Sequence, residues 1–228
     1  MMSTSTPFGA PMRAHFQFSP KYVPLNHGSF GTFPLPVRST LEHYRSLMEA
    51  RPDTFIRYTY PPRLHEGRKA IASLVNVHVD EIVFVPNATL GINTVLRGMK
   101  FEEGDVIVYF ETVYGAVGRT VEHIVETTKA EQEMVEAHWP IDDTELVKRF
   151  EATVRKLNEE GKGKRRVRLA IFDTIVAMPG VRVPFERLTA KCKELGVLSM
   201  IDGAHGIGHI PLDLGKLQPD FFVSNLHK

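Results

Sequence analysis

Three clusters of polar residues carry the side chains able to do chemistry, and each follows a short apolar run. The first is Ile201-Asp202-Gly203-Ala204-His205, where a carboxylate closes the run. A carboxylate in that place is either paired within the fold or reserved for a ligand, and the residues alone leave both readings open. The second is Ser224-Asn225-Leu226-His227-Lys228, after Phe221-Phe222-Val223. A lysine at a strand end can lose its charge through desolvation and attack a carbonyl, although most lysines at chain ends are simply solvated. The third is Asn87-Ala88-Thr89, which opens a helix-like stretch. A helix start presents N–H groups and the positive end of a dipole, which suits a phosphate. The dipole contributes only about 0.3–1 kcal/mol, so Thr89 and other donors would have to add to it. The plainer reading of this segment is a helix cap provided by Asn87 or Thr89.

Other chemistries find no support. There is no G-x-S-x-G and no Walker loop, and Gly206-Ile207-Gly208 lacks the third glycine of a dinucleotide loop. His205 and His209 have the spacing of a zinc pair. No glutamate follows His205, however, and the segment is glycine-rich, so no metal site is expected. Cys192 falls in a helical stretch and reads as a packing residue. As the one cysteine it excludes an internal disulfide, which fits a reducing compartment.

A net charge of +1 gives no reason to expect nucleic acid or an anionic membrane as partner. The basic run Gly161-Lys162-Gly163-Lys164-Arg165-Arg166 lacks interleaved aromatics and reads as a solvated loop. No apolar run approaches the roughly 20 residues that span a bilayer. Met1 to Pro20 has no hydrophobic signal core. Its Ser, Thr and Pro content without acids leaves organelle targeting open. Arg13 is its only charged side chain, which favours a flexible tail over residues 1–24 and a cytoplasmic location.

The elements that must position these residues alternate. Ile82–Val85, Val106–Phe110, Met134–Ala137, Arg168–Asp173, Leu198–Asp202 and Phe221–Ser224 read as strands. Leu90–Met99, Val117–Thr127, Thr144–Glu160 and Phe185–Leu195 read as the helices between them. Such alternation predicts an α/β fold with a mainly parallel, doubly wound sheet, covered on both faces and joined by right-handed crossovers. Ligands of such sheets gather beyond the carboxyl ends of the strands, where the three polar clusters fall. Ahead of the sheet, residues 25–75 form a helical segment: a glycine-bearing loop over Leu25–Phe33, then helices over Pro36–Ala50 and Pro62–Val75.

The ordered string Asp202-Gly203-Ala204-His205-Gly206, Asp213-Leu214, Pro219-Asp220-Phe221 and Asn225-Leu226-His227-Lys228 resembles the class V aminotransferase family, the group of pyridoxal-phosphate enzymes that contains the cysteine desulfurases. The resemblance extends back through Asn87-Ala88-Thr89-Leu90-Gly91-Ile92-Asn93 and Leu25-Asn26-His27-Gly28-Ser29-Phe30-Gly31-Thr32, and so covers nearly the whole chain from about Leu25 onward. Tyr114-Gly115-Ala116 and Met178-Pro179-Gly180-Val181-Arg182 are similar to the branch holding fungal hercynylcysteine sulfoxide lyases and isopenicillin N epimerase-like proteins.

The resemblance implies pyridoxal 5'-phosphate as cofactor and a fold of the corresponding large domain over residues 76–228. Lys228 would hold the cofactor covalently. Asp202 would pair with its pyridinium nitrogen, and His205 would lie near its phenolic oxygen. Ala88 and Thr89 would hold the phosphate from the helix start, and His227 with Ser224 or Asn225 from the other side. Tyr114 would face the ring or the leaving group. Asn26, His27 and Gly28 would line the substrate end. The catalytic roles fall to Lys228, Tyr114 and Asp202, with no metal.

The activity implied is that of a C–S lyase acting on a cysteine-derived sulfoxide, as in ergothioneine biosynthesis. Desulfuration, epimerisation and transamination are the alternatives within the family, and a binding chain without activity is the non-enzymatic alternative. The partners implied are a small amino-acid substrate and a second copy in a homodimer. Two departures stand out. Val176-Ala177 replaces the small hydroxyl or amide residues usual after the strand ending near Asp173. The family also continues past the lysine, so the last strand of the large sheet, the small C-terminal domain and its carboxylate-gripping arginine are expected to be absent.

Overall fold

The computed structural model describes residues 6–228 and divides into two compact units: residues up to Ile71 together with His227 and Lys228, and Ala72–Leu226. Residues 1–5 of the expected tail lie outside the described residues.

In the first unit a 3-10 turn, Ala10–His15, is closed by the Arg13 guanidinium, which donates to the carbonyls of Tyr22 (2.6 Å), Ser19 (2.6 Å) and Pro20 (3.2 Å). Three helices follow: α1 (His27–Phe30), α2 (Leu35–Ala50) and α3 (Pro52–Thr54). A π-helical stretch, Phe55–Thr59, then leads into α4 (Tyr60–Val75). Leu25–Phe33, expected as a loop, thus contains one helical turn.

The second unit holds α5 (Ala88–Gly98), β1 (Asp105–Phe110), α6 (Gly115–Thr127), β2 (Glu131–Val135), α7 (Asp143–Glu160), β3 (Arg166–Asp173), α8 (Phe185–Leu195), β4 (Leu198–Gly203), α9 (Leu214–Leu217) and β5 (Phe221–Ser224). All five strands are parallel, in the order β2-β1-β3-β4-β5. The chain winds outward from β1 to one edge and then from β3 to the other, which places a topological switch point between β1 and β3. β1 and β3 are near-continuous apolar runs because both faces of a parallel sheet are buried.

Ile92, Leu96, Val117, Val121 and Ile124 of α5 and α6 pack on Ile107, Leu169, Ile171 and Met200. On the opposite face, Leu146, Phe150 and Val154 of α7 and Phe185, Leu188 and Cys192 of α8 pack on Val106, Val108, Ala170 and Phe172. Each of the Val, Leu, Ile, Phe and Met side chains among them, fully buried, contributes about 1.5–3 kcal/mol. Cys192 is one of these packing residues, as its place in a helix predicts.

Two expectations are corrected. Among the described residues Ile82–Val85 takes part in no sheet pairing: Ile82 is extended (φ −105°, ψ 127°), and Val83 is 76% exposed. The basic run is not simply solvated. Arg166 pairs with the buried Asp105 at 2.8 Å and Arg165 with Glu131 at 2.6 Å, which fastens the start of β3 to β1 and β2. Among the described residues no helix is long and apolar enough to cross a membrane.

Candidate active site

The carboxyl ends of β3, β4 and β5 bring the first polar cluster into register. Asp202, near the end of β4, lies opposite Asp173, the last residue of β3, and Gly203 lies opposite Ser224 of β5. Asp202 is 3% exposed and Asp173 is 6% exposed. In-register neighbours on parallel strands share a face about 4.8 Å apart, so two acids stand side by side. One oxygen of Asp202 accepts the N–H of Ala204 at 2.9 Å, which bends the chain into the loop that carries His205. The imidazole of His205 meets that of His209 edge-on, 5.7 Å between centroids. Burial, and then the neighbouring Asp202, push the Asp173 carboxyl well above the usual range.

The start of α5 is built by two side-chain amides. Asn87 caps the helix by accepting the N–H of Leu90 (2.9 Å), as one reading of the segment predicts. The buried Asn225, just past β5, accepts the N–H of Ala88 at 3.1 Å. Gly91 lets the helix lie close to β5: a Cβ there would stand 2.7 Å from Val223 Cγ1. Ala88 is buried, and Thr89 is half-buried on the same first turn. Ser224 bridges β4 to the following loop. Its hydroxyl donates to the carbonyl of Gly203 and accepts the N–H of Ile207 at 3.4 Å. Tyr114 caps the start of α6 with its backbone carbonyl, and its ring is half exposed beyond the end of β1.

The remaining predicted site residues belong to the first unit. Asn26 precedes α1, and the ring of His27 packs against Phe16 (5.5 Å) and Phe18 (6.5 Å). Gly28 is half-buried on the same turn. Gly31 (φ 68°) comes so close to His227 that a Cβ would lie 1.6 Å from the His227 carbonyl oxygen. The turn after α1 and the residue before Lys228 are therefore brought together, and Lys228 itself is half-buried.

Other residues of the motif string hold the scaffold. Asp213 accepts from Asn76 (2.8 Å) and from the N–H of Lys216, and Asp220 accepts from the backbone and hydroxyl of Ser199. Val176, in place of a polar residue, is buried in the core beneath α7 and α8. Asp173 is the site residue that sequence reasoning passed over. Its signal was an acid ending the strand that comes before the Asp202 strand.

The donor set fits pyridoxal phosphate. A buried carboxylate beside a second acid favours a cationic nitrogen over water or a neutral group. The first turn of α5, with Thr89 on it, suits a phosphate.

The profile of the family described as Aminotransferase class-V matches residues 58–228. The chain belongs to this class V aminotransferase family. It is 41% identical over 226 residues to an L-cysteine desulfhydrase-like protein of Epichloe uncinata, which covers 99% of this chain and 49% of that protein. A putative L-cysteine desulfhydrase of Oryza sativa subsp. japonica is 34% identical, covering 96% and 47%. The hercynylcysteine sulfoxide lyase of Schizosaccharomyces pombe is 31% identical, covering 100% and 56%. The chain thus spans about half the length of the curated relatives it matches. Among solved structures, a cystine C–S lyase in complex with cysteine persulfide superposes with a TM-score of 0.75 at 20% identity, covering 86% of this chain and 50% of that one. A cysteine desulfurase from Thermococcus onnurineus gives 0.69 at 21%, covering 87% and 48%. At those identities the likeness is one of fold, and it agrees with the parallel α/β architecture described above.

Proposed function

We propose that this class V chain provides the pyridoxal-phosphate site of a C–S lyase acting on cysteine or a close derivative. The observation that carries this reading is the pair of relatives at 41% and 34% identity, both named for L-cysteine desulfhydrase. When bound, the cofactor supplies an electron sink for charge developing at the substrate α-carbon.

The chain's own residues do the rest. Lys228 anchors the cofactor through its amine. The same amine, once free, would take the substrate's α-proton. Asp202 would accept a hydrogen bond from the cofactor's ring nitrogen and keep it cationic. A hydrogen bond to a charged group contributes about 1.5–3 kcal/mol, so losing Asp202 impairs proton abstraction more than attachment. Thr89 and the first-turn N–H groups of α5 orient the phosphate, and Asn225 fixes that turn. His205, on the loop after Asp202, would lie near the cofactor's ring oxygen. Tyr114 stands past β1, at the switch point, and donates a proton to the departing sulfur as the β C–S bond breaks. Asn26, His27 and Gly28 contact the substrate, and two copies assemble as a homodimer.

A second reading has a cysteine-derived sulfoxide as substrate, as the name of the Schizosaccharomyces pombe relative describes for that protein. The experiment begins with an absorbance spectrum of the chain with added pyridoxal phosphate beside Lys228→Ala. A lysine-dependent band is expected, and identical spectra would end the cofactor reading. Release of sulfide and pyruvate from L-cysteine then supports the first substrate, and turnover of sulfoxides alone the second.

A further inference from the structure

We propose that Asp173 is a positioning residue for Asp202: it retains its proton and offers it to the Asp202 carboxylate, so that the two acids present a single negative charge at the strand ends. The inference rests on the reading of Asp202 as the group that faces the cofactor's ring nitrogen.

The geometry is that of the register. Asp173 ends β3 directly opposite Asp202 on β4, and the N–H of Thr174 donates to the Asp202 carbonyl at 2.9 Å, which locks the pairing one residue further. Side chains alternate across a strand. Ile171 and Met200, two positions earlier on each strand, are buried on the α5–α6 face, so both acids point to the side where α5 begins. Neither has room to turn toward water, since both are almost fully buried. Two buried carboxylates held side by side cannot both ionise, and the pair is left with one proton.

The surroundings assign that proton. Asp202 has an oxygen engaged by the Ala204 N–H, which favours its charged form. Behind the end of β3, toward α7 and α8, stand Thr112, Trp139, Val176 and Val183, none of them charged. Glu111, past the end of β1, is turned to His138 at 2.9 Å. Asp202 is therefore the charge that acts on Asp173, and burial favours the neutral acid there. A neutral neighbour that donates a hydrogen bond orients the Asp202 carboxylate and moderates its basicity. A second charge would instead repel it.

The test begins without cofactor. Carbon-13 NMR of aspartate carboxyl groups in the 228-residue chain, with Asp173→Asn and Asp202→Asn for assignment, should show one carboxyl still protonated well above the ordinary value of about 3.9. That resonance should vanish in Asp173→Asn and persist in Asp202→Asn, shifted down as the neighbouring charge is removed. A late-titrating resonance that vanishes only in Asp202→Asn, or none at all, overturns the proposal. Unfolding gives a second measurement. A folded-state value raised above the unfolded one means the folded chain holds the extra proton, so stability falls as pH rises from about 3.9 toward the raised value. Asp173→Asn should flatten that fall, and superimposable profiles would contradict the assignment. With pyridoxal phosphate, Asp173→Asn, which keeps a neutral donor, should bind within about threefold of the parent, and Asp173→Ala roughly tenfold weaker. Equal loss in both variants would overturn the donor role. Absence of any lysine-dependent band in the parent would reject the cofactor reading while leaving the carboxyl titration decisive for the pair.

Discussion

The side-chain amide of Asn225 accepts the backbone N–H of Ala88 at 3.1 Å, and this one buried bond ties the residue after the last strand to the first turn of the helix that precedes the first strand. The proposed phosphate seat therefore depends on a contact across 137 residues of sequence. Asn225→Ala leaves the Ala88 N–H buried without a partner, a loss of about 1–3 kcal/mol. Urea unfolding should show that loss, and cofactor affinity should fall with it. Asn225→Asp keeps an acceptor for Ala88 but adds a charge beside the phosphate. It should retain most of the stability and still lose affinity, which separates the structural role from the binding role.

Gly31 provides a second check on how the site is assembled. Its φ of 68° and its approach to the His227 carbonyl leave no place for a methyl group. Gly31→Ala strains the backbone by about 1–3 kcal/mol and displaces the segment that leads into Lys228. The lysine-dependent absorbance band should weaken at least severalfold. Far-UV circular dichroism should show the secondary structure retained. An undiminished band would mean that Lys228 does not depend on the turn after α1.

Cys192 tests whether this chain carries sulfur on its own thiol. It is fully buried on the inner face of α8, and burial, with Asp220 nearby, pushes the thiol up to about 12. The thiolate is the nucleophile, so at neutral pH the group is inert. A disulfide-exchange reagent should label the native chain only as fast as it opens, and the denatured chain at once. Cys192→Ala should leave C–S lyase turnover unchanged and lower stability by about 1 kcal/mol or somewhat more. Rapid labelling of the native chain would return this thiol to consideration as a sulfur carrier.

The alternation of strands and helices was legible because each element carries its own signal. Phe185–Leu195 has helical periodicity and a glycine stop in Gly196, which takes the left-handed conformation (φ 67°), and the expected and observed limits coincide. Ile82–Val85 misled because strand pairing depends on the register of neighbouring segments, which an apolar run does not encode. The site divides in the same way. Asp202, His205, Asn225 and Lys228 were proposed from an ordered string of residue types. Asp173 was not, because its meaning lies in the register of β3 against β4, which no local pattern encodes. Ser224 and Asn225 looked alike as strand-end polar residues. The structure separates them: one hydroxyl spans β4 and the next loop, and one amide holds α5.

Acid stability should have an identifiable origin in two helix caps. Asp142 accepts the N–H groups of Thr144 (2.8 Å) and Glu145 (3.3 Å) at the start of α7, and these bonds hold its carboxyl below the usual range. Asp213 is held low by the Asn76 amide and then by the Lys216 N–H at the start of α9. A lowered folded-state value means the unfolded chain binds the proton more readily. The caps' contribution is therefore complete above the unfolded value of about 3.9 and is lost as pH falls through the lower folded values. This is the opposite sign to Asp173, whose contribution declines as pH rises. Thermal unfolding between about pH 2 and 5 should thus fall steeply for the parent. It should fall less steeply for Asp142→Asn with Asp213→Asn, since asparagine caps a helix without a titrating charge. An equally steep fall in the double variant would place the acid-sensitive groups elsewhere.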